Sequence, residues 1–405
     1  MKVVYLHQYF NTPSMAGGTR SYEMARRLVA AGHEVDLVTT WREQGGRRDW
    51  FTTEEAGIRV HWLPVPYSNS MSYPERIGAF LRFAWASTRK AASLGGDVVF
   101  ATSTPLTIAL PGIYAAWRRR IPMVFEVRDM WPEVPIAVGA ICNPLLVWAA
   151  RRLEAFAYRY ASHVVALAPG MAEDIIATGV PRGKLTVIPN GCDLDIFTAP
   201  PTAPSPREEF EWLSSRRLVL YAGALGRANG VGYLVRLAAE VARLDGEVRF
   251  VVIGEGAEKD AIRAAAREAG LLDHTFFIFD AVPKRDLVRW LHAADIITAL
   301  FTGPRVIWKD AVQNKFFDAL AAGKPIANNF DGWQSRIARD AGVGLILDPD
   351  DVASAGRQLV DALRDGKWLG TVPERARQLA QSQFERGLLA SRLEQVLIKV
   401  VGQRA

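Results

Sequence analysis

Short apolar runs alternate with helical patterns along this chain, stop at a proline-rich stretch, and then start again. Val3–Leu6, Glu34–Thr39, Val98–Ala101, Met123–Val127, Val164–Leu167 and Leu185–Ile188 have strand length and little polar alternation. That pattern suits strands buried on both faces, as in a parallel sheet. Between the first two lies Arg20–Ala31, apolar at Met24 and Leu28 and stopped by Gly32, so the opening reads as strand, helix, strand. The segment Thr198–Pro206, T-A-P-P-T-A-P-S-P, cannot enter a sheet interior and reads as a linker. Beyond it Leu218–Ala222, Val248–Ile253, Thr275–Phe279, Ile296–Ala299, Pro325–Asn328 and Gly344–Leu347 form a second strand series. Val231–Leu244, Glu258–Ala269 and Lys284–Ala293 are the helices between them. The expected class is α/β, with two doubly wound Rossmann-like domains facing across a cleft. The boundaries expected are 1–196 for the first domain, 197–207 for the linker and 208–372 for the second domain. A helical tail, 373–405, is expected to pack back on the first domain.

A length of 405 residues favours two cores over one, and 49% hydrophobic with 23% charged residues is ordinary globular composition. Two cysteines, Cys142 and Cys192, make neither a disulfide framework nor a metal cluster and fit a reducing, cytoplasmic setting. The first ten residues read as a strand and not as a signal peptide. The six histidines, His7, His33, His61, His163, His274 and His292, lack metal-ligand spacing.

Charge is uneven. Residues 70–160 hold eleven Lys/Arg and six Asp/Glu, a surplus of five in a chain whose net charge is +6. Trp85, Trp117, Trp148, Phe80, Phe83 and Tyr158 are interleaved with these bases. Bases beside aromatics suit an anionic membrane surface, and a solvated surface over a normal core is the plain alternative. No nucleic-acid-binding motif accompanies them.

Several loops follow a strand and precede a helix. Asn11–Arg20 carries Gly17-Gly18, where backbone N–H groups can approach an anion at a helix start. Gly223-Ala-Leu-Gly226-Arg227 and Gly254-Glu-Gly256 occupy the same position in the second series. The cluster Glu126-Val-Arg128-Asp129 ends a strand of the first series, with a simple Arg128–Asp129 ion pair as its plain reading. Pro189-Asn-Gly-Cys-Asp193 is a turn ahead of the linker.

The stretch Asp310–Pro325, D-A-V-Q-N-K-F-F-D-A-L-A-A-G-K-P, sets Asp310 and Asp318 eight positions apart. On one continuous helix they would lie about 80° apart. If Asp310 sits in the loop before the helix, both acids can reach one ligand. Carboxylates only accept hydrogen bonds, and a polyhydroxyl ligand offers many donors. Two ordinary acids on a solvated helix face is the alternative reading.

Taken in order, these segments resemble the retaining glycosyltransferases of family four, with the GT-B fold, over nearly the whole chain. The likeness rests on Gly17-Gly18, E-V-R-D-M-W-P at Glu126–Pro132, I-P-N-G-C-D at Ile188–Asp193, Y-A-G at Tyr221–Gly223, V-I-G-E-G at Val252–Gly256, A-A-D at Ala293–Asp295, and the Asp310–Pro325 block. W-P after R-D is similar to the branch that builds bacterial surface polysaccharides. The resemblance implies transfer of a sugar, a hexosyl or N-acetylhexosaminyl group, from a nucleotide diphosphate sugar to a hydroxyl with retention. It implies a carbohydrate or polyprenyl-linked glycolipid acceptor, no metal cofactor, and a cytoplasmic protein peripheral on the inner face of the plasma membrane.

Residue roles implied by the resemblance follow. Asp310 would bond the donor sugar and Asp318 the ribose hydroxyls. Gly17 and Gly18 would lie near the diphosphate or acceptor, with Gly223 and Asn314 at the same donor site. Gly254 and Ala281-Val282 would border the base. Asp129, with Arg128 beside it, would stand near the acceptor hydroxyl. The chain also departs from the family. Both acids of the block are Asp where the family has Glu, Arg128 replaces a common His, and Ala224 and Asn229 occupy positions that often hold Arg and Lys. Arg227, Lys309 and Lys315 are the substitute cations for the diphosphate. A GT-B-fold nucleotide-sugar epimerase and a non-catalytic sugar-nucleotide-binding subunit are the alternatives.

Overall fold

The computed structural model describes residues 1–15, 17–42, 47–68, 71–137, 139, 141–198 and 203–403, apart from the side chains of Tyr73, Thr198, Val306 and Asp310. The chain divides into two compact units. The first comprises residues 1–12, 19–189 and 387–405; the second comprises 13–18 and 190–386.

In the first unit eight strands form one sheet. They are β1 (Lys2–Leu6), β2 (Glu34–Trp41), β3 (Phe51–Glu55), β4 (Ile58–Pro64), β5 (Val98–Thr102), β6 (Met123–Val127), β7 (His163–Ala166) and β8 (Leu185–Val187). Their order is β3-β4-β2-β1-β5-β6-β7-β8, parallel except for the β3–β4 pair. The runs read as buried strands are buried: every residue of β5, β6 and β7 is in the interior. β3 and β4 are additional to the sequence reading. Their hairpin turns at Ala56 and Gly57, both with positive φ (51° and 80°), as a tight two-residue connection requires.

In the second unit β9 (Leu218–Ala222), β10 (Arg249–Ile253), β11 (Phe276–Phe279), β12 (Ile296–Ala299), β13 (Ile326–Asn328) and β14 (Gly344–Ile346) form an all-parallel sheet. The order is β11-β10-β9-β12-β13-β14, so the strand order reverses between β9 and β12. Leu218, Leu220, Val251 and Ile297 face one apolar cluster, and Val219, Phe250, Val252 and Ile296 face the other. Side chains that alternate between two cores are what a doubly wound sheet demands. Both units are therefore the α/β layers that the alternation predicts.

The division between units falls after Pro189, ahead of the 197–207 stretch read as a linker, of which residues 199–202 lie outside the described residues. Residues 190–198 are held to the second unit from within. The Cys192 N–H donates to the Phe384 carbonyl at 2.7 Å, and Asp193 is buried against Arg386. The tail is not one continuous helix. Helix Gly366–Leu379 runs into a wider π turn, Ala380–Phe384, before helix Arg386–Gly402. Residues 387–405 belong to the first unit, where Glu394 meets His33 Nε2 at 2.8 Å.

Candidate functional site

In open α/β sheets ligands bind beyond the carboxyl ends of the strands, where the strand order reverses. In the second sheet that point lies between β9 and β12. The chain leaves β9 through Gly223 and leaves β12 through residues 300–313 into helix Asn314–Ala321. Asp310 closes a 3-10 turn, Arg305–Asp310, and Ala311–Gln313 separate it from the helix. The two acids of the block are thus on different elements, and the side chain of Asp310 is outside the described residues.

The helix start is fixed by a pair of glutamines. The Gln313 backbone N–H donates to Gln334 Oε1 at 2.7 Å, Gln334 Nε2 returns a bond to the Gln313 carbonyl at 3.1 Å, and Gln313 Nε2 reaches the Leu300 carbonyl at 2.6 Å. With its entry held, the helix presents Asn314 and Lys315 in its first turn. Gly18 lies against Asn314: a Cβ built there would stand 3.2 Å from the amide nitrogen. Residues 13–18, early in sequence, group with this unit. Gly17 has φ 126°, a conformation that side chains resist.

Lys315 is the central cation. Its side chain crosses Gly223, where a Cβ would stand 2.6 Å from Cε and 2.9 Å from Nζ. The ammonium lies 4.8 Å from the centre of the Tyr221 ring and 3.5 Å from Asn229 Oδ1. No carboxylate is within ion-pair distance of it among the described residues. Burial pushes its pKa down from 10.5 to about 8, against a smaller upward pull from Asp318. Ala224 and Asn229 put no cation in the loop after Y-A-G; of the three substitutes named from the sequence, Lys315 is the one that reaches Gly223, from helix Asn314–Ala321.

Asp318 lies one turn further along. Its Oδ1 is 3.1 Å from Lys284 Nζ, at the start of helix Lys284–Ala293. Lys284 also meets Asp193 Oδ2 at 2.5 Å. Asp193 is fully buried and takes Arg386 as a fork, 2.7 Å to Nε and 3.2 Å to Nη2. Burial alone would raise the Asp193 carboxyl, but Arg386 and Lys284 overcome it and hold it well below the usual range. The same two acids raise the Lys284 ammonium despite its burial. Asp318 is thereby tied through one of its two oxygens to Lys284. This network escaped the sequence reading, because Asp193 and Arg386 are 193 positions apart.

The other residues read as site members fall as follows. Gly254 is a close-packing position: a Cβ there would lie 1.9 Å from the Gly223 carbonyl oxygen, so the loops after β9 and β10 touch backbone to backbone. Val282 is half-buried just before helix Lys284–Ala293. Arg227 is exposed on the 3-10 turn Arg227–Asn229, and Lys309 is exposed on the turn that ends at Asp310. Asn328, also missed in sequence, ends β13 fully buried, with no hydrogen-bond partner for either amide atom among the described residues.

The first sheet has its own cluster at its carboxyl edge. Arg20 and Glu126 form a buried pair at 2.7 Å, and Thr102 donates to the second carboxylate oxygen at 3.0 Å. Glu126 is thereby a structural acid. Arg128 and Asp129 turn to different partners, so the plain ion-pair reading does not hold: Arg128 Nη1 meets His7 Nε2 at 3.2 Å, and exposed Asp129 accepts from Thr104 Oγ1 at 2.5 Å.

Residues 16–191 match the family described as "Glycosyl transferase 4-like domain", and residues 205–383 match "Glycosyl transferases group 1". The D-inositol 3-phosphate glycosyltransferase of Xylanimonas cellulosilytica is 25% identical over 364 residues, 83% of this chain and 81% of that protein. Among solved structures, sucrose-phosphate synthase from Thermosynechococcus elongatus is similar with TM-score 0.78 at 16% identity, covering 99% of each chain. The Anabaena protein HepE in complex with UDP gives TM-score 0.72 at 16% identity, over 98% of this chain and 100% of that one. At such identity the structural likeness speaks to the fold. Both halves of the sequence match glycosyltransferase domains, and the chain belongs to the family-four glycosyltransferases of the GT-B fold.

Proposed function

We propose that this glycosyltransferase moves a hexosyl or N-acetylhexosaminyl group from a nucleoside diphosphate sugar to a hydroxyl, with retention, in bacterial polysaccharide or glycolipid synthesis. The observation that carries the donor assignment is Lys315, a half-buried ammonium at a sheet switch point with no carboxylate within ion-pair distance among the described residues. A desolvated cation without a counter-ion is a site for an anion. The diphosphate would lie against Lys315 and the N–H groups of helix Asn314–Ala321, bordered by Gly17, Gly18, Gly223 and Asn314, with Arg227 and Lys309 outside. The remaining oxygen of Asp318 would accept from the ribose, Asp310 from the donor sugar, and Gly254 and Val282 would border the base.

In the transfer, charge develops on the departing diphosphate as the glycosidic bond breaks. Lys315 and the helix start would stabilise it electrostatically, so no dissociable metal is called for. Asp318 is engaged by Lys284 and, in this reading, by the ribose, which leaves it no nucleophilic role. A front-face, ion-pair-like transfer fits better than a two-carboxylate double displacement. Asp129, on the first unit, is the exposed carboxylate assigned to the acceptor hydroxyl. UDP bound to HepE makes UDP the first donor moiety to test. Calorimetry of UDP binding to the protein and to Lys315→Met is the test. Equal affinity would remove the donor site from this position, and an epimerised sugar nucleotide with no transfer product would replace transfer with epimerisation.

The acceptor side suits a membrane-borne substrate. Among the described residues no helix is long and apolar enough to cross a membrane. Helices Tyr73–Leu94, Ala109–Arg119 and Pro144–Tyr160 pack side by side on the first sheet. They carry nine Lys/Arg and two Asp/Glu. They also expose Trp85 (75%), Trp117 (72%), Leu145 (76%) and Trp148 (60%). A cavity of about 850 Å³ lined by Trp117, Arg118, Arg120, Phe156 and Tyr160 opens on the same helices. Exposed aromatics among bases are the composition of an interfacial surface, and a peripheral position on anionic lipid is the proposed location. Flotation with anionic vesicles at low and high salt tests it, and absence from the vesicle fraction under both conditions would end it.

A further inference from the structure

The cations at the carboxyl edge of the first sheet are not accounted for by donor binding, and their chemistry is unusual. His7 follows β1, Arg42 follows β2 and Arg128 follows β6. Among the described residues, the acids next to Arg128 in sequence are occupied. Both oxygens of Glu126 are taken, by Arg20 and Thr102, and Asp129 turns to Thr104. Arg128 has no carboxylate within ion-pair distance among the described residues, and its backbone N–H is fixed to Ser103 Oγ at 3.0 Å. Its guanidinium contacts His7 Nε2 at 3.2 Å.

A guanidinium has only donors, so that ring nitrogen must accept. The proton of the neutral imidazole is then on Nδ1. His7 is 4% exposed, and Nδ1 has no hydrogen-bond partner among the described residues. Burial, with Arg128 and Arg42 adding to it, holds the imidazole neutral by lowering its pKa well below 6.5. The Arg42 guanidinium, bonded to Asn11 Oδ1, brings a second positive charge. The edge thus gathers a buried N–H donor without an acceptor and a guanidinium without a carboxylate, beside a second cation. Such groups are stabilised by an anion that several N–H donors can grip at once.

We infer that His7, Arg42 and Arg128 form a binding site for an oxyanion, a phosphate or a carboxylate, carried by the acceptor. The inference rests on the reading of the first unit as the acceptor side. Arg128 stands where the family commonly has His, so the site is a property of this chain's specificity and not of the shared transfer chemistry. The anion would fix the acceptor, leaving the neighbouring Asp129 for its hydroxyl.

The test is titration of the full chain with inorganic phosphate, with glucuronate and with uncharged glucose. The readout is the ring nitrogen signals of His7 in ¹⁵N-histidine-labelled protein, assigned through His7→Gln. A saturable shift with phosphate, glucuronate or both, and none with glucose, is expected. Phosphate alone points to a phosphorylated acceptor and glucuronate alone to a uronic acid. Arg128→Gln should weaken the response at least about tenfold, Arg128→Lys should weaken it less, and Lys315→Met should leave it in place. If neither anion shifts His7, or if the shift survives Arg128→Gln unchanged, the inference is overturned. Failure of the donor reading is distinguishable: it appears as UDP affinity indifferent to Lys315, whatever His7 does.

Discussion

Replacing Lys315 by methionine should make the free protein more stable and the nucleotide complex weaker. The side chain lies against Gly223 and the Tyr221 ring, and burial lowers its pKa from 10.5 to about 8. A displacement of that size corresponds to about 3 kcal/mol at pH 7. Because the side chain is only half-buried, solvent screening reduces this to about 1–3 kcal/mol. The sign follows from proton counts. The folded-state pKa lies below the unfolded one, so between pH 8 and 10.5 the unfolded chain binds more protons and stability rises with pH. Below pH 8 the penalty is fully present. Methionine has similar length and no charge to desolvate, so Lys315→Met should raise the melting temperature at pH 7 by about 2–8 °C and flatten its rise above pH 8.

Binding should move the other way. A diphosphate favours the protonated amine, so UDP affinity should be flat below about pH 8 and fall above it, by up to about tenfold per pH unit. Loss of the charge-assisted contact should weaken UDP about 10- to 100-fold in Lys315→Met and abolish that pH dependence. Calorimetric titrations between pH 7 and 9, beside thermal melts of both proteins, measure the two effects. A variant less stable than the parent, with UDP affinity and pH profile unchanged, would refute the reasoning, since Lys315 would then be a satisfied structural lysine.

Asp310→Asn should depress transfer far more than UDP affinity, because only the donor sugar is assigned to it; equal turnover in a steady-state assay would remove that role. Asp318→Ala should weaken UDP about tenfold, and an unchanged dissociation constant would detach it from the ribose. Asp193→Ala should destabilise the protein by about 3–5 kcal/mol, because buried Arg386 would lose its carboxylate and Lys284 would keep only Asp318; a denaturant midpoint close to the parent's would mean that the network relaxes around the loss.

Much of the architecture was legible because burial on both faces leaves a mark on sequence. V-V-F-A at Val98–Ala101 and M-V-F-E-V at Met123–Val127 can hardly be anything but central strands. The hairpin β3–β4 was not legible in the same way: Phe51–Glu55 is an edge strand whose side chains are alternately half-buried and exposed, so its apolar signal is diluted. The candidate site was legible where one segment carries its residues, as with Gly17-Gly18 and the helix start at Asn314-Lys315. It was hidden where charge is exchanged across the fold. Nothing local to Gly223 announces that Lys315 fills its missing side-chain volume, and nothing near Asp193 announces Arg386. Gly254 shows the converse. Its loop reads as a ligand contact in sequence, and the Gly223 carbonyl gives a second, packing reason why no side chain fits there.

Beyond the carboxyl edge of each sheet stands a cation with no carboxylate within ion-pair distance among the described residues, Lys315 in one unit and Arg128 in the other, and the two differ in the one property that an experiment can separate. Lys315 loses its proton near pH 8. Burial lowers the Arg128 guanidinium, against an upward pull from Glu126, and it stays charged across the working range. His7 is neutral throughout that range and contributes a donor, not a titrating charge. Raising the pH from 7 to 9 should therefore weaken UDP while leaving the glucuronate response of His7 nearly constant. A parallel decline of both would mean that one amine governs both ligands, and the assignment of separate anion sites to the two units would fail together with the role given to Arg128.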